Sequence, residues 1–259
     1  MAQRIVLVTG ANRKGIGLAI VHRLAKNAPS NIYLLGVRST KAGEGAVQQL
    51  RDMGVTATLE LLELDVTHDD QVQSAVTKLQ TTFGRLDVLI NNAGIATVPT
   101  QDSSFKDLRV TYNNILNTNV TSVATLTTAF VPLLRRSADP RVINISSGRA
   151  SIHALTKGSL PPTVSVPYSV SKLAMNVLML EMSKSEEHVL PSAGSKILYQ
   201  AVNPGHCKTA LNGFRGSRDP YEGVRVVQEM VLCERDTFET GFWVWEGDEE
   251  NGELKRVPW

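Results

Sequence analysis

Short runs of apolar, largely β-branched residues alternate along this chain with longer stretches whose apolar positions recur at helical spacing. Ile5-Val6-Leu7-Val8 contains no polar position, the pattern of a strand covered on both faces. Gly15 to Lys26 reads as the helix that follows. The same alternation predicts a strand over 32–37, a helix over 41–53, a strand over 58–64, a helix over 69–82 and a strand over 86–91. A long helical stretch over 108–136 leads to a strand over 141–145. A helix over 168–188 precedes a strand over 196–202, and Gly241 to Trp245 reads as the final strand.

Strands that alternate with helices pair in parallel through right-handed βαβ crossovers. The expected fold class is therefore α/β: one doubly wound parallel sheet of Rossmann type with helices on both faces. No linker, low-complexity tract or repeat divides the 259 residues, so one domain spanning 1–259 is expected. Two long loops, 148–167 and 204–220, both leave carboxyl ends of strands, where open α/β sheets bind their ligands.

Composition narrows the partners. Hydrophobic residues make up 42% of the chain and charged residues 20%, enough apolar material for a full core. A formal net charge of +2 argues against a nucleic-acid partner, which leaves a clustered basic stripe. No apolar run reaches the length of a membrane span, and Ile5–Val8 is too short for the core of a leader peptide. No membrane partner is expected, and the expected location is cytoplasmic. Cys207 and Cys233 are too few for a disulfide framework. No metal site is indicated, because His206 and Cys207 have neither a base nor a metal-binding partner nearby in sequence.

Chemistry enters at the first strand–helix turn, Thr9-Gly10-Ala11-Asn12-Arg13-Lys14-Gly15-Ile16-Gly17. Glycines there let the backbone approach a phosphate, and the helix start offers unpaired N–H groups. A plain structural turn would also use glycine, but a turn in this position favours a dinucleotide. Asp65-Val66 closes the third strand, where a carboxylate can accept from an adenine amino group or, alternatively, cap the next helix. Asn91-Asn92-Ala93-Gly94 closes the fourth, with small residues against which a cofactor can lie. After the second strand comes Val37-Arg38-Ser39-Thr40 rather than a carboxylate. Arg38, with Arg13 and Lys14 on the neighbouring loop, suits the 2′-phosphate of NADP(H) and not the bare ribose of NAD. Tyr168 and Lys172 stand i, i+4 at a helix start, which places a phenol and an ammonium on one face. A phenol donates a proton at neutral pH, and a nearby cation favours its phenolate in the reverse direction.

Thr9 to Gly17, Asn91-Asn92-Ala93-Gly94, Ser147, Tyr168-Ser169-Val170-Ser171-Lys172 and Asn203-Pro204-Gly205 together resemble the motif set of the short-chain dehydrogenases/reductases. The resemblance runs over nearly the whole chain and is nearest to the carbonyl-reductase-like members. It implies an NADP(H)-dependent oxidoreductase that reduces a ketone or aldehyde, or oxidises the alcohol, by hydride transfer with Tyr168 as general acid/base. Ser147 would position the substrate oxygen, with Ser146 as the alternative. Lys172 would lower the tyrosine pKa and grip the nicotinamide ribose, and Asn119 would help to hold a water for proton relay. Gly10, Asn12, Arg13, Lys14, Gly15, Ile16, Gly17, Arg38, Asp65, Val66, Asn92, Ala93, Gly94, Tyr168, Lys172, Pro204, Gly205, Cys207 and Thr209 would bind the cofactor.

In two places the chain departs from the family pattern. Four residues, Ala11 to Lys14, separate Gly10 from Gly15 where three are usual, so the extra residue should bulge outward. Cys207 stands where a β-branched residue is common. Ser147 and Tyr168 are 21 positions apart, an interval like the inserted segment of the family's monomeric carbonyl reductases; a monomer and a homo-oligomer both stay open. Ile152, Leu155, Leu160 and Phe214 in the two long loops suggest an apolar or aromatic small-molecule substrate. The rival readings are the same fold used for an isomerisation, dehydration or cyclisation, and a non-catalytic NADP(H) sensor, for which Ser147, Tyr168 and Lys172 would be superfluous.

Overall fold

The computed structural model describes residues 3–12, 15–99, 102–247 and 251–259. Burial on both faces accounts for its strands. β1 (Ile5–Thr9) is buried throughout, with Val6 and Val8 entering one core and Ile5 and Leu7 the other. Beside it lie β2 (Ile32–Val37) and β3 (Thr58–Glu63) on one side, and β4 (Val88–Asn91), β5 (Arg141–Ile145), β6 (Leu198–Asn203) and β7 (Gly241–Glu246) on the other. All seven run parallel in the order β3-β2-β1-β4-β5-β6-β7. Chain order reverses between β1 and β4, and a crevice for ligands opens beyond their carboxyl ends.

The helices in chain order are α1 (Ile16–Asn27), α2 (Thr40–Asp52), α3 (Asp69–Thr82), α4 (Phe105–Leu116), α5 (Ser122–Leu134), α6 (Ile152–Thr156), α7 (Val166–Ser185), α8 (Pro220–Gly223) and α9 (Arg225–Leu232). Side chains of α1, α2 and α9 fill the core on one face of the sheet; those of α3, α5 and α7 fill the core on the other.

The expected parallel sheet needs one correction. Gly241–Glu246 is not the last strand: β8 (Glu253–Arg256) pairs with it in antiparallel fashion. The sequence Glu-Leu-Lys-Arg has a single apolar position, and its ladder is supported instead by Lys255 bonding Glu246 at 3.1 Å. β3 stops at Glu63, so Asp65 and Val66 lie just past it. The single helix expected over 108–136 starts at Phe105, behind a capping box of Ser104 and Asp107, and contains one π-helical turn, Asn117–Thr121. The two long loops are partly ordered by α6 and by short 3-10 turns, and α9 follows where no helix had been expected.

Candidate active site

The glycine turn is shaped by close contacts. Gly10 has φ +65, and a Cβ there would come within 3.0 Å of the Ala93 Cα. At Gly17 a Cβ would lie 2.6 Å from both the Gly10 carbonyl oxygen and the Asn92 Nδ2, so helix and turn can pack only around a bare backbone. Gly15 is different: a Cβ would meet nothing within 4 Å. It is the N-cap of α1 and brings no side-chain cap, which leaves the first N–H groups open to an anion. A cavity of about 210 Å³ opens there, lined by Gly15, Lys208 and Phe214 among others. Ile16 packs partly buried on the core, and Asn12 is exposed. Arg13 and Lys14 lie outside the described residues.

Thr9 ties this turn to the end of β4. Its Oγ1 accepts from the Asn92 and Ala93 N–H groups at 3.0 and 2.9 Å. The Asn92 Nδ2 donates back to the Thr9 carbonyl at 2.7 Å. Asn92 and Ala93 are thereby fixed against Gly10, with Val66 and Ala93 lining a small cavity beside Thr9. Arg38 is exposed at the end of β2. Asp65 does not cap α3, whose N-cap is His68. Its Oδ1 accepts from the Thr67 N–H and Oγ1 at 3.0 and 2.7 Å. Burial raises the Asp65 carboxyl, but those two bonds, together with the His68 and Arg38 charges, hold it below its ordinary value.

β5 and α7 bring the reacting groups together. Tyr168 lies in the first turn of α7, with the Ser147 hydroxyl, just beyond β5, beside its phenol. Burial pushes the phenol up to about 12, with the nearby Ser147 hydroxyl working against that rise. Lys172 places its Nζ 5.7 Å from the centroid of the tyrosine ring and donates to the Ile145 carbonyl at 2.7 Å. Burial pulls this ammonium down to about 8. The expected lowering of the tyrosine pKa by Lys172 is not among the causes of this shift, which burial directs upward, so the phenol is neutral. Ser146 is buried with no hydrogen-bond partner for its Oγ among the described residues, whereas the Ser147 Oγ accepts from the Arg149 N–H at 3.3 Å and lies beside the Tyr168 phenol.

Asn119 occupies the π turn and is wholly buried. Its Oδ1 accepts from the Ile95 N–H, and its Nδ2 donates to the Ile95 carbonyl and the Ser171 Oγ, each at 2.9 Å. Both donors of the amide are therefore taken by protein. Gly94 sits alongside: a Cβ there would be 3.2 Å from the Asn119 Oδ1 and 3.7 Å from the Lys172 Nζ. Ser171, for which no role had been anticipated, relays the contact by donating to the Tyr168 carbonyl at 2.7 Å. Its i+3 position after Tyr168 was the available signal.

Beyond β6 the segment 204–209 folds on itself. Gly205 has φ +80, and its N–H donates to the Asn203 side chain at 3.0 Å. Pro204 accepts from the Cys207 thiol at 3.2 Å, and burial pushes that thiol up to about 11, which makes it inert. The Thr209 N–H bonds the Asn212 side chain at 3.3 Å. Phe214 is the one non-glycine at positive φ among the described residues, +61, a strained conformation at the wall of the cavity next to Gly15.

Known proteins resemble this chain in sequence and fold. The short chain dehydrogenase family profile matches residues 4–219. A short-chain dehydrogenase/reductase of Aspergillus fumigatus is 40% identical over 262 residues, covering 100% of this chain and 98% of that protein. Carbonyl reductase 1 (NADPH) of Bos taurus is 28% identical over 90% of this chain and 92% of its own length. Among solved structures, the NADP complex of Pseudomonas aeruginosa RhlG superposes with a TM-score of 0.76 at 23% identity, covering 93% of this chain and 94% of that one. The chain belongs to the short-chain dehydrogenase/reductase family of oxidoreductases, and it is similar to the carbonyl reductases within it. Among the described residues no helix is long and apolar enough to cross a membrane.

Proposed function

We propose that this chain, acting as one domain, is an NADP(H)-dependent oxidoreductase that reduces a ketone or aldehyde, or oxidises the alcohol, with Tyr168 as general acid and base. The observation that carries this reading is the convergence of Tyr168, Ser147 and Lys172 beyond the end of β5, with the Lys172 ammonium 5.7 Å from the phenol ring and the Ser147 hydroxyl close enough to act on the phenol. The open N-terminus of α1 and the bare Gly15 fit a diphosphate, which Gly10, Gly15, Ile16 and Gly17 would hold. Arg38 would take a 2′-phosphate, the Asn92–Gly94 and Pro204–Thr209 segments would flank the nucleosides, and Lys172 would reach the ribose hydroxyls. The NADPH named for the bovine relative supports this cofactor. When bound, the cofactor supplies or accepts the hydride.

The chain's own residues handle the proton. A phenol with its pKa at about 12 is neutral at pH 7 and can donate to a carbonyl oxygen. Ser147, beside the same phenol, would hold that oxygen. With its pKa at about 8, Lys172 is mostly an ammonium at pH 7, and it would stabilise the phenolate left after donation. Asn119 fixes the floor of the site through Ile95 and Ser171. Exposed Ile152 and Leu155 on the 148–167 loop suit an apolar or aromatic substrate.

The test is NADPH oxidation, followed by absorbance, over a panel of ketones and aldehydes with wild type and Tyr168→Phe. Loss of the positioned acid should lower kcat about 100-fold or more at unchanged cofactor affinity. A variant with near-normal turnover would remove Tyr168 from the mechanism.

A further inference from the structure

We propose that the segment Val257–Trp259 positions the substrate side of the active site, anchored through Trp259 and Ser151. This rests on reading Tyr168 and Ser147 as the reacting pair. After β8 the Val257 N–H donates to the Phe242 carbonyl at 2.7 Å, and the chain then leaves the sheet edge. The Trp259 ring stacks on Phe242, a wholly buried residue of β7, with centroids 5.8 Å apart and planes 22° from parallel. From there two backbone oxygens reach the inserted loop: that of Trp259 accepts from the His153 N–H at 2.9 Å, and that of Pro258 accepts from the Ser151 Oγ at 2.5 Å.

The Ser151 hydroxyl works in both directions. It donates to Pro258 and at the same time accepts from the Ala154 N–H at 3.0 Å, which caps α6. Five residues are too few for a helix to hold itself in water, so α6 depends on what it is tied to. Hydrogen bonds continue from it to the reacting serine. The Ser151 N–H donates to Gly148 at 3.2 Å, and the Ala150 N–H donates to the Ser147 carbonyl at 2.8 Å. Ile152 and Leu155 are thus held as an apolar wall on the loop that begins at Ser147 and returns to Tyr168. The glycine turn that would take the diphosphate contributes nothing to this set of contacts. The positioning effect should therefore fall on the carbonyl substrate and spare the cofactor.

The experiment uses the full chain with Trp259→Ala, Trp259→Phe and Ser151→Ala. Amide hydrogen exchange is read without substrate, NADPH affinity by fluorescence titration, and kinetics with 2-acetonaphthone as a bulky probe and butanal as a small one. In Trp259→Ala, exchange over 148–157 should quicken about tenfold or more while β1 and β4 keep their protection. NADPH affinity should stay within about twofold, and KM for 2-acetonaphthone should rise about fivefold or more with butanal little changed. Trp259→Phe, which keeps a ring on Phe242, should behave like wild type, and Ser151→Ala should reproduce the alanine phenotype if Trp259→Ala fails to fold. Unchanged exchange over 148–157 overturns the proposal, as does a loss of NADPH affinity parallel to that of substrate. So does an unchanged KM beside quickened exchange. If wild type reduces neither probe, the reading of Tyr168 and Ser147 falls, and the exchange result alone decides whether Val257–Trp259 holds the 148–157 segment.

Discussion

Lys172 holds an ammonium where water hardly reaches it: the residue is 5% exposed, and desolvation is the cause of its lowered pKa. Folding therefore works against this charge. The gap between its ordinary 10.5 and about 8, at 1.36 kcal/mol per pH unit, corresponds to a native-state penalty of about 3 kcal/mol at pH 7. Lys172→Met removes the charge and keeps most of the side-chain volume. It also strips the Ile145 carbonyl of its 2.7 Å partner, which costs roughly 1 kcal/mol. The variant should then be about 2 kcal/mol more stable than wild type at pH 7, although inactive. The sign of the pH dependence follows from where each state titrates. Below pH 8 both folded and unfolded wild type carry the charge, and the penalty is present in full. Between about 8 and 10.5 the folded lysine is neutral while the unfolded one still binds its proton, so wild-type stability climbs. The variant's advantage should shrink over that window, vanish just below about pH 10 and reverse to about 1 kcal/mol near pH 10.5, where only the lost hydrogen bond remains. Urea unfolding of both proteins without cofactor, followed by tryptophan fluorescence at pH 7 and pH 10, measures it. A variant less stable than wild type at pH 7, or a difference equal at both pH values, would refute the reasoning.

Two further expectations concern the neighbours of that lysine and the choice of cofactor. Ser147→Ala should lower kcat about 100-fold and leave Tyr168 without the hydroxyl that restrains its pKa, whereas Ser146→Ala, which deletes a buried hydroxyl with no partner among the described residues, should cost less than about twofold; steady-state assays giving the reverse ranking would transfer the role to Ser146. NADPH should bind about tenfold or more tightly than NADH by fluorescence titration, and Arg38→Asp should invert that order, since the new carboxylate would repel a 2′-phosphate and accept from a ribose hydroxyl. Equal affinities in wild type would take Arg38 out of the site.

Elements buried by their own periodicity could be read directly. The strands over 32–37 and 141–145 and the helix over 69–82 lie where their patterns put them, because each carries enough apolar positions to declare its period. β8 has one such position and gains its place from β7 alone. α6 is stapled by a hydroxyl 107 positions from its acceptor, and no local pattern announces a bond of that kind. In the site, the Tyr168–Lys172 spacing was legible because both residues share a helix face. The environment of Asn119 was not. Its partners come from 24 and 52 positions away, and the π turn that aims it is invisible to a reading that counts 3.6 residues per turn.

The same residues explain why the site sits where local rules are broken. Asn91 at the end of β4 donates to Asn144 of β5 at 2.8 Å and to Thr127 of α5 at 3.0 Å, a polar link in the middle of an otherwise apolar layer. Asn119, Ser146, Ser171 and Lys172 add more buried polar groups around the same strand ends. Each such group carries a desolvation cost of about 1–3 kcal/mol unless it is paired, and apolar residues of equal volume would make a more stable core. A sheet covered by helices on both faces has no folding reason to place them there. They are intelligible as the framework that keeps a neutral phenol, a hydroxyl and a desolvated ammonium in register at the carboxyl end of β5, with the stability gained by the apolar runs of β1, β2 and β5 offsetting their cost.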